Sequence, residues 1–122
     1  MQISVKNVID NGLHEEIIHE IFEGNYTEIA DQQFLSYIAE DGKRVVIKFD
    51  ETELIMTRYA DKVHKMRFTV KENTSFNYGG IYGLKISTET YKVKNNNITV
   101  IYTIMQNEET MANYQLEITY GN

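Results

Sequence analysis

The chain is 122 residues long, 42% hydrophobic and 25% charged, with a formal net charge of -6 and a pI near 5.0. A single domain of this size buries roughly two-thirds of the surface its unfolded chain exposes, so it needs no metal or cross-link, and its acidity argues against nucleic acid or an anionic membrane as main partner. With no cysteine present, disulfides, zinc–thiolate and iron–sulfur sites and thiol catalysis are excluded.

The dominant pattern is short runs of β-branched and aromatic residues with a period of two, bounded by Asn, Asp, Gly and Glu. Residues 3–9 predict a first strand, closed by the turn Asp10-Asn11-Gly12. Residues 15–26 predict a long second strand, with Gly24 where a bend can sit. Ile17, Ile18, Ile21 and Phe22 also suit a helical stripe, but the β-branched content and the neighbouring strands favour a strand. Residues 33–39 lead into Glu40-Asp41-Gly42-Lys43, a hairpin signal. Two runs, 44–49 and 53–59, flank a short acidic turn, and 63–70 follows Ala60-Asp61. Residues 71–75 read as a polar loop. The run 76–91 contains Gly79, Gly80 and Gly83 and reads as two strands or one bent strand. Asn95, Asn96 and Asn97 mark a tight turn before the strand 98–105. Asn107-Glu108-Glu109 then leads to the last strand, 111–120.

No helix, linker, low-complexity tract or long-period repeat interrupts this series. The expectation is one domain, 1–122, all-β: an antiparallel up-and-down meander of about eight to ten strands closed into a barrel, because closure removes exposed edges. Strand phase places Val45, Ile47 and Phe49 inside. It does the same for Tyr82, Leu84 and Ile86, for Ile98, Val100, Tyr102 and Ile104, and for Tyr114, Leu116, Ile118 and Tyr120. No unbroken apolar stretch reaches the roughly 7–15 residues of a secretory signal or the ~18 of a membrane span, so the expected location is the cytoplasm.

Several segments, in order, resemble a known family. Ile3-Ser4-Val5-Lys6-Asn7-Val8-Ile9-Asp10 resembles its first strand, and Phe34-Leu35-Ser36-Tyr37 with Glu40 its Leu-Ser-Tyr strand. Arg67-Phe68, Thr74, Tyr78 and Tyr82-Gly83 resemble its central run, and Ile98, Val100, Tyr102 and Ile118-Thr119-Tyr120-Gly121 its last hairpin. On these residues the chain resembles the YwiB-like proteins of low-GC Gram-positive bacteria. The resemblance implies a calycin-like (lipocalin-type) barrel. It implies no activity and no catalytic residues, because the family has none established.

Three side-chain types offer chemistry. The arginines are Arg44, Arg58 and Arg67. Arg58 follows Leu54 and Met56 on one face, so inward and rim positions are equally open to it. Arg67 falls on the outer face with Lys65 and Thr69, although it belongs to the family resemblance. An inward Arg needs a carboxylate, tyrosines or a ligand anion, and its planar fork suits a carboxylate. His64 shares a face with Met66 and Phe68, which predicts a core or pocket histidine; a haem ligand would need a large apolar cavity beside it. His14 and His19 lack the spacing of a metal site. Among nine tyrosines, Tyr37, Tyr82 and Tyr102 are candidates for an aromatic pocket wall, though packing alone accounts for most tyrosines in strands. Gly79-Gly80-Ile81-Tyr82-Gly83 lacks the Lys-Ser/Thr ending and following helix of a phosphate loop and reads as a barrel corner.

The candidate ligand site is therefore Tyr37, Arg58, His64, Arg67, Tyr82 and Tyr102, with no metal or cofactor. Three functions fit. A binding barrel for a small apolar or amphipathic ligand, with or without a carboxylate, predicts a cavity of roughly 300 Å3 or more with a polar anchor. An interaction module, monomeric or homodimeric, predicts a filled interior and an apolar outer patch or strand edge. A barrel enzyme acting on a small carboxylate requires a Glu or His beside an inward Tyr–Arg pair. The residues favour binding over interaction, and either over catalysis.

Overall fold

A computed structural model describes residues 1–78 and 80–121. Ten antiparallel strands follow one another: β1 (Gln2–Asp10), β2 (Glu15–Ile29), β3 (Gln32–Ile38), β4 (Arg44–Phe49), β5 (Glu53–Tyr59), β6 (Val63–Thr69), β7 (Thr74–Tyr78), β8 (Ile81–Lys94), β9 (Asn97–Gln106) and β10 (Glu109–Gly121). Their order is β6-β5-β4-β3-β2-β1-β10-β9-β8-β7. Each strand pairs with the next except β6 and β7, which meet at a seam without a ladder, and β1 pairs with β10 to join the two halves. The result is a nearly closed up-and-down barrel, the form expected of a calycin-like fold.

Local chemistry explains the hairpins. Ala30-Asp31, Asn95-Asn96 and Asn107-Glu108 all carry positive φ, between 50° and 67°. Two such residues in succession make the two-residue turn whose twist matches that of the flanking strands. Asn tolerates this region well, which is why two of the three turns were legible as Asn clusters. The Ala30-Asp31 turn carries no Gly or Asn signal, so β2 runs three residues further than the sequence predicts, to Ile29. The run 76–91 resolves into two strands, and β7 begins at Thr74, inside the stretch read as a polar loop. The predicted barrel corner includes Gly79, which lies outside the described residues.

β2 holds the architecture together. Its residues from Glu15 to Glu23 pair with β1, and those from Gly24 to Ile29 pair with β3. The switch falls at Gly24, whose N–H donates to the Met1 carbonyl at 2.9 Å. There β2 bends and carries the sheet around the core.

The interior is filled. Phe49, Phe68, Ile3, Leu35, Ile47, Leu54, Ile86, Ile98 and Ile118 are fully buried. Aromatic rings fill the spaces between them: Tyr102 stacks on Tyr114 at 4.7 Å and meets Phe68 edge-on at 4.6 Å. Tyr26 stacks on Tyr120 at 5.5 Å. The inward sets predicted on β4, β9 and β10 all face this core. Tyr82 does not. Leu84 and Ile86 are buried, but Tyr82 is 74% exposed. Gly83 has φ +78°, so the pleat does not run on from Leu84 to Tyr82, and phase cannot be extended across it.

The seam is held by polar contacts. Thr74 Oγ1 donates to the Arg67 carbonyl at 2.6 Å. Deeper in the same half of the molecule, the Tyr91 hydroxyl meets the carbonyls of Asp50 and Glu53 at 2.7 and 3.0 Å. This ties β8 to the turn between β4 and β5 across the barrel. Burial, then the nearby Asp50 and Glu53 charges, raise the Tyr91 hydroxyl well above its ordinary pKa, so it stays a donor. Tyr91→Phe deletes both contacts and leaves the carbonyls without that partner. Its expected cost is about 1–2 kcal/mol, a fall in Tm of roughly 5 °C by circular dichroism. An unchanged Tm would show that the tie contributes nothing.

Candidate functional site

In an up-and-down meander, alternate turns point to the same end. The β3–β4, β5–β6 and β7–β8 turns therefore share one mouth of this barrel, opposite the β4–β5 and β6–β7 turns. The β3–β4 turn is built by Gly42, with φ +80°, and by Asp41 Oδ1, which accepts from the Lys43 N–H at 3.0 Å. The Ala39 N–H donates to the Lys43 carbonyl at 2.8 Å and closes the turn. Asp41 Oδ2 forms an ion pair with Arg58 Nη2. One short side chain thus shapes the turn and holds the arginine.

Arg58 belongs to a transverse row. Tyr37 faces Val45, Val45 faces Arg58, and Arg58 faces His64, across β3, β4, β5 and β6. Directly opposed residues share a face of the sheet. Because Tyr37 and Val45 are buried, the row lies on the inner face. Phe22 stacks on Tyr37 at 4.3 Å. Burial pushes the Tyr37 hydroxyl up to about 12; Glu20 adds to the shift and Arg58 opposes it. At neutral pH Tyr37 is a neutral donor and not a base.

Beyond this row the mouth opens into a groove of about 550 Å3, lined by Lys43, Asp61, Lys62, His64, Asn77 and Tyr82 among others. Of the predicted set, His64 and Tyr82 line this groove. Arg58 stands beside His64, and Tyr37 ends the row two strands away. The structure does not bring Arg67 and Tyr102 to it. Arg67 is on the outer face at the opposite end, where it meets Glu53 at 2.5 Å and Glu72 at 3.0 Å. Those two carboxylates raise its pKa, Glu53 first. Tyr102 is inside the packed core between Phe68 and Tyr114. Burial raises its hydroxyl well above the ordinary tyrosine range, with the Asn7 side chain opposing. Nearby, Thr88 Oγ1 is buried without a partner among the described residues. Lys43, Lys62 and Asn77 escaped the sequence reading because each lies in or beside a turn, where a polar residue looks merely solvated. The parity of the meander, which puts alternate turns at one mouth, was the signal that would have joined them.

A tyrosine ring, an imidazole, two ammonium groups and the Asp61 carboxylate surround a concave space, and the guanidinium tethered to Asp41 stands behind them. Those groups fit a small molecule with an anionic end and a flat or apolar body.

The chain matches a family model described as a domain of unknown function, DUF1934, over residues 3–118. The chain belongs to that family. It is also similar in structure to the ywiB protein from Bacillus subtilis, with a TM-score of 0.77 and 21% sequence identity over 99% of this chain and 91% of that one. That likeness shows the fold alone, and it agrees with the family resemblance read from the sequence. Among curated proteins nothing matches.

Proposed function

We propose that this chain is a cytoplasmic small-molecule-binding barrel that takes its ligand end-on, at the mouth between the β3–β4, β5–β6 and β7–β8 turns. The ligand is small and partly apolar, with a carboxylate or similar anion. The observation that carries this reading is the groove itself. Its volume of about 550 Å3 lies within the roughly 300–1,000 Å3 of small-molecule sites. In a chain with net charge -6, Lys43 and Lys62 outnumber the one carboxylate there, Asp61, and stand with His64 beside an exposed tyrosine ring. The filled interior argues against a ligand held deep in the barrel.

The test has two parts. Native mass spectrometry of gently purified protein will reveal a copurified adduct that is lost on denaturation. Amide chemical shifts during titration with benzoate will move at Lys43, residues 60–64, Asn77 and Tyr82. Lys43→Glu, at a turn whose fold rests on backbone and Asp41 contacts, will weaken benzoate about tenfold, the scale of one lost charge-assisted contact. Shifts scattered elsewhere, or affinity unchanged by Lys43→Glu, would overturn the reading.

A further inference from the structure

The first half of β2 is unusual for a barrel strand. Between Glu15 and Glu23 it pairs with β1 on one side only, since the ladder to β3 begins at Gly24. Among the described residues no strand lies along its other edge. Alternate backbone N–H and C=O groups over nine residues therefore have no ladder partner there. The same stretch exposes large apolar side chains: Ile17 is 59% and Ile21 61% exposed, and Ile18 is exposed as well. Leu13, in the loop before it, is almost wholly exposed. Ile17 faces Val8 and Ile21 faces Ser4 across the β1 ladder, so both stand on one side of the sheet. An unpaired, apolar strand edge is a template for strand addition, and natural barrels normally abolish such edges.

We infer that this edge pairs with the same edge of a second copy of the chain, antiparallel, with Ile17 on the two-fold axis. The choice of occupant rests on charge. A two-fold antiparallel pair sets residue i opposite residue j with a constant sum, and facing residues share a side of the sheet. With Ile17 on the axis, Ile17 meets Ile17 and Glu15 meets His19, while Leu13 and His14, in the loop before β2, come beside Ile21 and Glu20 of the second copy. Glu16 meets Ile18. No carboxylate faces another.

Every neighbouring register fails on this point. An axis at Ile18 sets Glu16 against Glu20 twice. An axis at His19 sets Glu15 against Glu23. Axes at Glu16 or Glu20 oppose that glutamate to itself. Like charges directly opposite one another destabilise a strand pair, whereas opposite charges and β-branched pairs stabilise it. The four glutamates thus reject these neighbours, as register-specifying charges do. An axis at Ile21 also opposes no carboxylates, but it would lay residues 15–18 of the second copy along residues 24–27, the edge that already pairs with β3. His19 Nε2 already meets Ser4 Oγ at 2.7 Å, which orients the ring and leaves Nδ1 for Glu15 of the second copy. Pairing of this kind would continue the ten-stranded sheet from one copy into the next.

Sedimentation velocity across a concentration series tests this. The wild-type chain will sediment as a monomer–dimer equilibrium. Ile17→Lys places two ammonium groups at the axis and will weaken the dimer at least about 30-fold. Ile17 is solvent-exposed, so the variant's melting temperature under monomeric conditions will stay near that of the wild type. Glu15→Lys will weaken the dimer in the same direction. The double variant Glu15→His with His19→Glu exchanges the partners and will restore most of the affinity. A wild-type chain that stays monomeric at hundreds of micromolar would overturn the inference. So would a dimer indifferent to Ile17→Lys, or a double variant no better than Glu15→Lys.

Discussion

Gly24→Ala will lower the melting temperature by roughly 10 °C or more, the scale of about 3 kcal/mol in a domain of this size. A Cβ at Gly24 would collide with Ile3 Cδ1 and with the Ser36 carbonyl oxygen, and would press on Tyr37 Cβ at 3.2 Å. Ile3 could rotate its terminal methyl away. The Ser36 carbonyl has no such freedom, because residue 36 sits in the ladders to both β2 and β4. The Gly24 carbonyl also accepts from the Met1 ammonium at 3.2 Å, which fixes the start of the chain to the same point. Three strands therefore cross where only a hydrogen fits. Gly12→Ala provides the contrast. Gly12 has φ +91° but nothing within 4 Å, so its expected cost is backbone strain of about 1–2 kcal/mol. Equal melting temperatures for the two variants would refute the crossing as a stability determinant.

That site illustrates how far the sequence could be read. Gly24 within a β-branched run marked a bend, and β2 does bend there. That β1 and β3 would close on the same atom was not legible, because it depends on strands paired through the fold and not on local pattern. The strands themselves were legible wherever a period of two ran unbroken between Asn, Asp or Gly turns, as on β4, β9 and β10. Phase inference failed where the pleat is interrupted. Tyr82 is separated from Leu84 by the positive φ of Gly83. β8 also slips by one residue against β9 between Thr88 and Thr90. Before the slip Leu84, Ile86 and Thr88 are buried; after it Tyr91 and Val93 take the inner side. Tyr91 could not be placed inside without knowing of the slip, and a single sequence gives no sign of it.

The candidate site was half legible for the same reason. Phase put His64 with Met66 and Phe68 and left Arg58 open between an inward and a rim position; both lie on the inner face in one row. The groove beyond them is made of turn residues, and turns carry no phase. Whether the interior is open or filled was not legible for a different cause. Alternation says which side chains point inward but not whether their summed volume fills the space. Here it does, with rings at nearly every level. The ligand site proposed above therefore lies at the mouth, apart from a core whose close packing serves stability.

Phe68→Ala separates those two roles. Phe68 is 1% exposed, opposes Leu54 across the β5–β6 ladder and meets Tyr102 edge-on. Removing its ring will cost about 3–5 kcal/mol, since the surrounding strands are tied to one another and can collapse only in part. The expected fall in Tm is roughly 10–15 °C. The space left lies in the apolar core, with Leu54 and Tyr102 beside it, so it will stay dry and accept a small apolar probe. Benzene at millimolar concentration will therefore raise the Tm of Phe68→Ala by mass action and leave the wild type unchanged. Stabilisation of the wild type to the same extent would mean that the native interior already holds a usable cavity, and the deep site would return to contention. Benzoate, by contrast, will still shift Lys43 and Tyr82 in Phe68→Ala at temperatures where the variant is folded, because Phe68 does not line the groove. A variant that gains benzene binding and keeps the benzoate response would place the filled core and the polar mouth under separate constraints: packing in the one, electrostatics in the other.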